Sequence, residues 1–187
     1  MRDEWFVRGK VPMTKSEVRA VSISKLELKP DSILYDVGAG TGSVAIEASK
    51  FLTSGLVYAI EKKPEAVELI EKNKEKFFAH RVEIVEGMAP EAIKDLKTPT
   101  HVFIGGTSGN LEEVLDLVLS KNDKTRIVVN VIALETLAQL VNWLKIKELE
   151  ADFIQIQVSR GKAAGGYHLM MGQNPVSVIS FGGEEEY

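Results

Sequence analysis

Between Ile33 and Ser43 the chain changes character twice. Ile33-Leu34-Tyr35-Asp36-Val37 is mostly apolar, Gly38-Ala39-Gly40-Thr41-Gly42 is glycine-rich, and a helical pattern opens at Ser43. A strand that runs through such a turn into a helix is the building unit of a parallel sheet. Glycine reaches positive φ and has no Cβ, so the loop can turn tightly and let a ligand touch the backbone. The N–H groups that open the next helix then face a carboxylate or a phosphate. The same alternation continues along the chain. Strands are expected over residues 33–37, 56–60, 82–85, 101–104 and 125–131, and helices over 43–52, 64–77, 110–119 and 134–144. Pro64 suits a first helical turn, where no N–H is required, and Val67, Ile70, Phe77 and Phe78 give that helix a side to bury.

Past Trp143 the pattern changes. Two strand-like runs, 153–158 and 176–181, follow each other without a helix and read as a closing antiparallel hairpin. Their connection, 159–174, holds Arg160, Gly161, Lys162, Gly165, Gly166, Tyr167 and His168; a connection of that length in a compact domain is usually functional or disordered. Before the first strand, Thr14 and Glu17 have the spacing of a capping box, so a helix is expected to open at Lys15 and to stop before Pro30. With 187 residues, 44% of them hydrophobic, the chain suits one domain. Its expected parts are an N-terminal segment and helix (1–30), an α/β core (31–145), closing strands with a long loop (146–182) and an acidic tail (183–187).

A net charge of −4 argues against a broad nucleic-acid footprint, which calls for excess Lys and Arg. The absence of cysteine excludes disulfides, thiolate zinc sites and Fe–S clusters. Neither His80 nor His101 falls in a metal-ligand pattern. No apolar run reaches the roughly 20 residues needed to cross a bilayer, and the first residues lack a signal region, which points to a cytoplasmic protein with no membrane partner.

The loop admits two ligands. A dinucleotide fingerprint would place its third glycine at position 43, which is Ser43. Glycines at 38, 40 and 42 with Asp36 ahead instead resemble motif I of the class I S-adenosylmethionine-dependent methyltransferases. Glu61, about 20 residues past the loop, stands where a carboxylate can accept hydrogen bonds from both ribose hydroxyls, a device that NAD sites share. A carboxylate such as Glu61, taken alone, is more often a surface group beside neighbours like Lys62 and Lys63, and Gly105-Gly106 reads equally as a plain turn.

The segment Arg8-Gly9-Lys10-Val11-Pro12-Met13-Thr14-Lys15, with Asp36 to Gly42 and Phe103-Ile104-Gly105-Gly106, is similar to the decarboxylating cobalt-precorrin-6B C15-methyltransferases of cobalamin biosynthesis. The resemblance covers essentially the whole chain. It implies an α/β, Rossmann-like fold: a seven-stranded, mostly parallel sheet with a C-terminal antiparallel hairpin and helices on both faces. It implies S-adenosylmethionine held by Thr14, Asp36, Gly38, Ala39, Gly40, Thr41, Gly42, Glu61, Lys62, Met88, Ala89 and Gly105. It further implies methyl transfer to a ring carbon of a tetrapyrrole, loss of carbon dioxide from an acetate side chain, and a homotetramer.

A corrin precursor is a flat, partly apolar ring fringed by carboxylates, so its site needs cations around an apolar floor. Arg8, Lys10, Lys15, Arg160 and Lys162 are the candidate substrate cations, with Arg19 clustered among them. Trp5, Phe6, Met13 and Tyr167 are candidates for the floor. No side chain is singled out as the chemical catalyst, although His168 is a minor candidate. Two other readings stay open: an RNA base methyltransferase that shares the cofactor half, and, of a different class altogether, a nucleotide-binding oxidoreductase or non-catalytic binding module.

Overall fold

The computed structural model describes residues 1–183; of the acidic tail, 184–187 lie outside the described residues. A short 3-10 turn, Asp3–Trp5, precedes α1 (Ser16–Leu26). The core then alternates β1 (Ile33–Val37), α2 (Ser43–Ser49), β2 (Leu56–Glu61), α3 (Pro64–Lys76), β3 (Val82–Glu86), β4 (His101–Ile104), α4 (Leu111–Lys121), β5 (Arg126–Val131) and α5 (Leu134–Ile146). Four strands close the chain: β6 (Ala151–Ile156), β7 (Ser159–Ala164), β8 (Tyr167–Gly172) and β9 (Val176–Phe181).

Seven strands form one sheet in the order β3-β2-β1-β4-β5-β9-β6. β1 to β5 are parallel, and β9 runs antiparallel to both β5 and β6. The order turns back between β1 and β4, so the crevice at their carboxyl ends is the expected ligand position in an open α/β sheet. Alternate residues feed two cores. Leu34 joins Val44, Ile46, Ile70 and Val18 on the face covered by α1, α2 and α3, while Tyr35 and Val37 join Val114, Leu115, Leu140 and Trp143 beneath α4 and α5. Both faces are thus covered by helices, and the fold is the one expected.

Several local expectations change. Lys15, not Thr14, caps α1, without a side-chain hydrogen bond, and Glu17 turns instead to Arg160. The capping-box spacing is overridden because the Thr14 carbonyl is taken by the Arg19 guanidinium at 2.6 Å. Phe77 packs on Phe6, but Phe78 lies beyond the end of α3 at φ +50 and is 75% exposed. The segment 159–174 is not a loop. It contains the separate β7–β8 hairpin, which turns at Gly165 and Gly166 and has every strand residue exposed. With neither face buried, it has no need of the apolar alternation by which strands are read. Among the described residues no helix is long and apolar enough to cross a membrane, and no group of three or more potential ligands could hold a metal.

Candidate active site

A cavity of about 920 Å³ opens at the carboxyl ends of the parallel strands. Val37 and Gly38 enter its wall from β1, Ile60 and Glu61 from β2, Gly105 from the end of β4, and Asn130 and Val131 from β5. Strand ends supply main-chain groups and side chains without the ladder partners that occupy the strand interior, so a ligand can use them.

The glycine loop is shaped by contacts that exclude a Cβ. Gly38 has φ +74, and a Cβ there would meet the Gly106 carbonyl at 2.3 Å; Gly40 has φ +57, and its Cβ would meet the Pro12 carbonyl at 2.9 Å. The N–H groups of Gly38 and Ala39 both donate to the Ile60 carbonyl, at 3.0 and 3.1 Å, which docks the loop on β2. Gly42 then opens α2 in the left-handed region.

Glu61 is only 8% exposed, so it is not a surface carboxylate. Its Oε2 accepts from Gly40 N at 2.9 Å, and its Oε1 from Lys62 N and Lys63 N at 2.9 and 3.0 Å. A carboxylate has about four acceptor positions. The three N–H groups leave one, on Oε2, where two sugar hydroxyls were expected.

Asp36 stands apart from the cavity wall. It is buried, its Oδ2 accepts from Ala45 N at 2.9 Å inside the first turn of α2, and its Oδ1 has no partner. Burial, with the Glu61 charge adding to it, pushes its carboxyl up to about 7 against the opposing Ala45 hydrogen bond. Thr41 and Gly42, at the end of the loop, are likewise outside the wall.

The cavity brings together Thr14, Gly38, Ala39, Gly40, Glu61, Lys62, Met88, Ala89, Gly105 and, among the expected substrate cations, Lys15. Lys62 Nζ reaches the Met88 sulfur at 3.9 Å. The other cations are elsewhere. Arg8 and Lys10 are exposed on the segment leading to the cavity, and Lys162 on the β7–β8 hairpin. Arg160 is engaged by Glu17, at 2.7 and 2.6 Å to its two oxygens, and by Ser16 Oγ at 3.2 Å.

Arg19 is no rim cation. It is fully buried, pairs with Glu47 at 2.6 Å and Asp3 at 3.1 Å, and donates to the Met1 and Thr14 carbonyls. It stands four residues past the cavity-lining Lys15, yet the residues before α1 fold back over it. Phe6 is withdrawn from the floor for the same reason, packed beneath Arg19 and against Phe77. Trp5 and Tyr167 are exposed, and His168 sits on the projecting hairpin, outside the wall. Met13 does line the cavity.

The sequence reading missed Lys63, Asn130, Thr136, Gln173 and Asn174, all of which line the wall. Asn130 was open to discovery, since it lies next to the last residue of β5, at the end where ligands bind. Gln173 and Asn174 carry no such signal, because their position depends on β9 lying between β5 and β6.

Comparison with known proteins places the chain in a family. A family model described as a precorrin methyltransferase domain matches residues 4–181. A probable cobalt-precorrin-6B C(15)-methyltransferase (decarboxylating) of Pyrobaculum calidifontis is 41% identical, over 95% of this chain and 93% of its own. A protein of the same name, without the qualifier, from Salmonella typhi is 40% identical over 100% and 98%. The crystal structure of a precorrin-6y C5,15-methyltransferase from Geobacter metallireducens superposes with a TM-score of 0.92 at 38% identity, covering 97% of each chain. On full-length similarity and on a shared class I methyltransferase fold, the chain belongs to the precorrin methyltransferase family.

Proposed function

We propose that the protein transfers a methyl group from S-adenosylmethionine to C15 of cobalt-precorrin-6B and removes carbon dioxide from an acetate side chain of the same corrin precursor, as a step of cobalamin biosynthesis. The relatives' names support the substrate and the coupled decarboxylation. The observation that carries the cofactor reading is Glu61, a buried carboxylate on the cavity wall with one acceptor position open beside the glycine loop.

The residues present fit that cofactor. Glu61 offers its open oxygen to a ribose hydroxyl, Met88 and Ala89 form an apolar edge for the nucleobase, and Gly38 to Gly40 with Thr14 surround the amino-acid end. Asp36 acts at one remove by holding the start of α2. The bound cofactor supplies an electrophilic sulfonium methyl. The chain's own part is to align the acceptor carbon with it and exclude water, which needs no nucleophilic side chain.

The substrate would lie against the other half of the cavity. Val18, Val131, Ile156 and Val176 form an apolar wall there, and Lys15, Lys62 and Lys63 supply cations. Arg8, Lys10, Arg160 and Lys162 would meet the outer carboxylates, with Arg160 exchanging Glu17 for a substrate carboxylate. Residues 1–30 then serve as a substrate-side segment, 31–145 as the cofactor core and 146–182 as the closing strands. The exposed Leu169, Met170 and Met171 of the β7–β8 hairpin favour assembly into a homotetramer, and the working compartment is the cytoplasm.

The test is incubation with corrin precursors and methyl-labelled S-adenosylmethionine, following label in the ring and release of carbon dioxide together. Both are expected. Label without gas would remove the decarboxylating half, and neither would remove the assignment.

A further inference from the structure

We infer that Asn73 is a positioning residue that ties the cover of the cavity to the glycine loop, making residues 8–13 a strap fastened at both ends over the cofactor; this rests on the cofactor reading proposed above. Asn73 lies in α3 and is fully buried. Its Oδ1 accepts from Val7 N at 2.6 Å, and its Nδ2 donates to the carbonyls of Val7 and Thr41, each at 3.0 Å. Buried amides must have their donors and acceptors matched, and asparagine is a poor residue inside a helix. Here every match goes to the two segments that flank the cavity, and none to α3 itself.

The strap's second fastening is Thr14. Its carbonyl is held by Arg19, which Glu47 and Asp3 hold in turn. Between Val7 and Thr14, among the described residues, none makes a main-chain hydrogen bond. Val11, Pro12 and Met13 nevertheless line the cavity, and the Pro12 carbonyl lies directly against Gly40, whose N–H donates to Glu61.

A segment with exposed, unbonded backbone opens at little cost, while buried bonds at its ends set where it returns. A ligand lying between the glycine loop and the inner edge of the strap adds contacts only when the strap is down. Binding therefore favours the closed position, and by linkage a strap without its fastening binds the ligand more weakly. Arg8 and Lys10 ride on this strap, so closing it over the cofactor would also bring two cations to the substrate side.

Arg8 and Lys10 make the strap a substrate for trypsin, and the fragments beginning at Gly9 and Val11 report its opening. Saturating S-adenosylhomocysteine is expected to slow their release from the wild type by about tenfold. Asn73→Ala is expected to weaken S-adenosylhomocysteine binding by about tenfold or more in calorimetry, at a temperature where both proteins are folded, and to abolish the protection. A residue that served stability alone would lower the melting temperature and leave that affinity unchanged. Val7→Pro removes the donor from the strap side without touching α3, should act in the same direction, and provides the test if Asn73→Ala does not fold. Equal cleavage with and without S-adenosylhomocysteine in a wild type that binds it, or unchanged affinity in whichever variant folds, overturns the inference and leaves the cofactor reading standing. A wild type that does not bind S-adenosylhomocysteine overturns both.

Discussion

Glu61 accepts a hydrogen bond from the Gly40 amide at 2.9 Å, so the last residue of β2 fixes the middle of the loop that leaves β1. The same carboxylate closes the turn into α3 through Lys62 and Lys63. One side chain therefore shapes two walls of the cavity before any ligand arrives. The Pro12 carbonyl stands close enough that a Cβ on Gly40 would meet it at 2.9 Å, so the strap can lie on the loop only where the loop carries glycine.

Replacing Glu61 should reveal that double use. Glu61→Ala leaves three N–H donors without their acceptor and removes the position offered to the sugar. S-adenosylhomocysteine affinity should fall by about 1–3 kcal/mol, read by calorimetry. Equal affinity in the folded variant would mean that the cofactor does not use this carboxylate.

Gly38 and Gly106 lie in contact, but their tolerance for a methyl group should differ sharply. A Cβ on Gly38 meets the Gly106 carbonyl at 2.3 Å on a backbone with φ +74, whereas one on Gly106 finds nothing within 4 Å. Gly38→Ala should lower unfolding free energy by about 2 kcal/mol or more and impair cofactor binding. Gly106→Ala should stay within about 0.5 kcal/mol of wild type. Urea unfolding of the pair decides; equal losses would contradict the close approach at Gly38.

Sequence legibility followed burial. β1 and β4 have the bounds read from sequence, because strands covered on both faces are apolar at most positions. Gly38, Gly40 and Glu61 were readable because a strand–turn–helix context limits what glycines and a trailing carboxylate can do. The β7–β8 hairpin was not, since an element with no buried face leaves no pattern. Arg19 was misplaced for a related reason. Arginine is rarely fully buried, and nothing local shows that Asp3 and Glu47 converge on it across α1 and α2.

The pH dependence of stability contains two opposed contributions. Burial, with Glu61 adding, raises Asp36 from 3.8 to about 7, so the folded state holds a proton that the unfolded state has lost, and this contribution weakens as pH rises through that window. Burial lowers His101 from 6.5 to about 4, so the unfolded state takes up a proton first and stability is lost as pH falls from 6.5 towards 4. The two offset each other over the overlap. Asp36→Asn removes the first and should turn a flat profile between pH 4 and 6.5 into one that falls with acidification, measured by thermal unfolding across that range. An unchanged profile would show that Asp36 does not titrate there.

Arg19 and Arg160 are alike in sequence as basic residues of one candidate cluster, yet their variants should fail in opposite ways. Arg19 is at 0% side-chain exposure between Glu47 and Asp3. Arg19→Met would leave the Met1 and Thr14 carbonyls without their donor, Asp3 with only Arg160 at 3.9 Å and Glu47 with only the N-terminal amine at 2.6 Å, and breaking a buried pair from one side costs about 3–5 kcal/mol. Arg160 and Glu17 are 43% and 42% exposed, so solvent screens their attraction and its loss should cost less than about 1 kcal/mol. Arg160 should matter instead to the substrate, whose carboxylate competes with Glu17 for the same guanidinium. A contact kept equally in ground and transition states affects KM and leaves kcat alone. Arg160→Ala should therefore unfold in urea like the wild type and raise KM for the corrin precursor, more at low ionic strength than at high. An unchanged KM would leave Arg160 as a partner of Ser16 and Glu17 without a part in substrate binding, and a wild-type unfolding curve for Arg19→Met would deny the buried network its part in holding the strap.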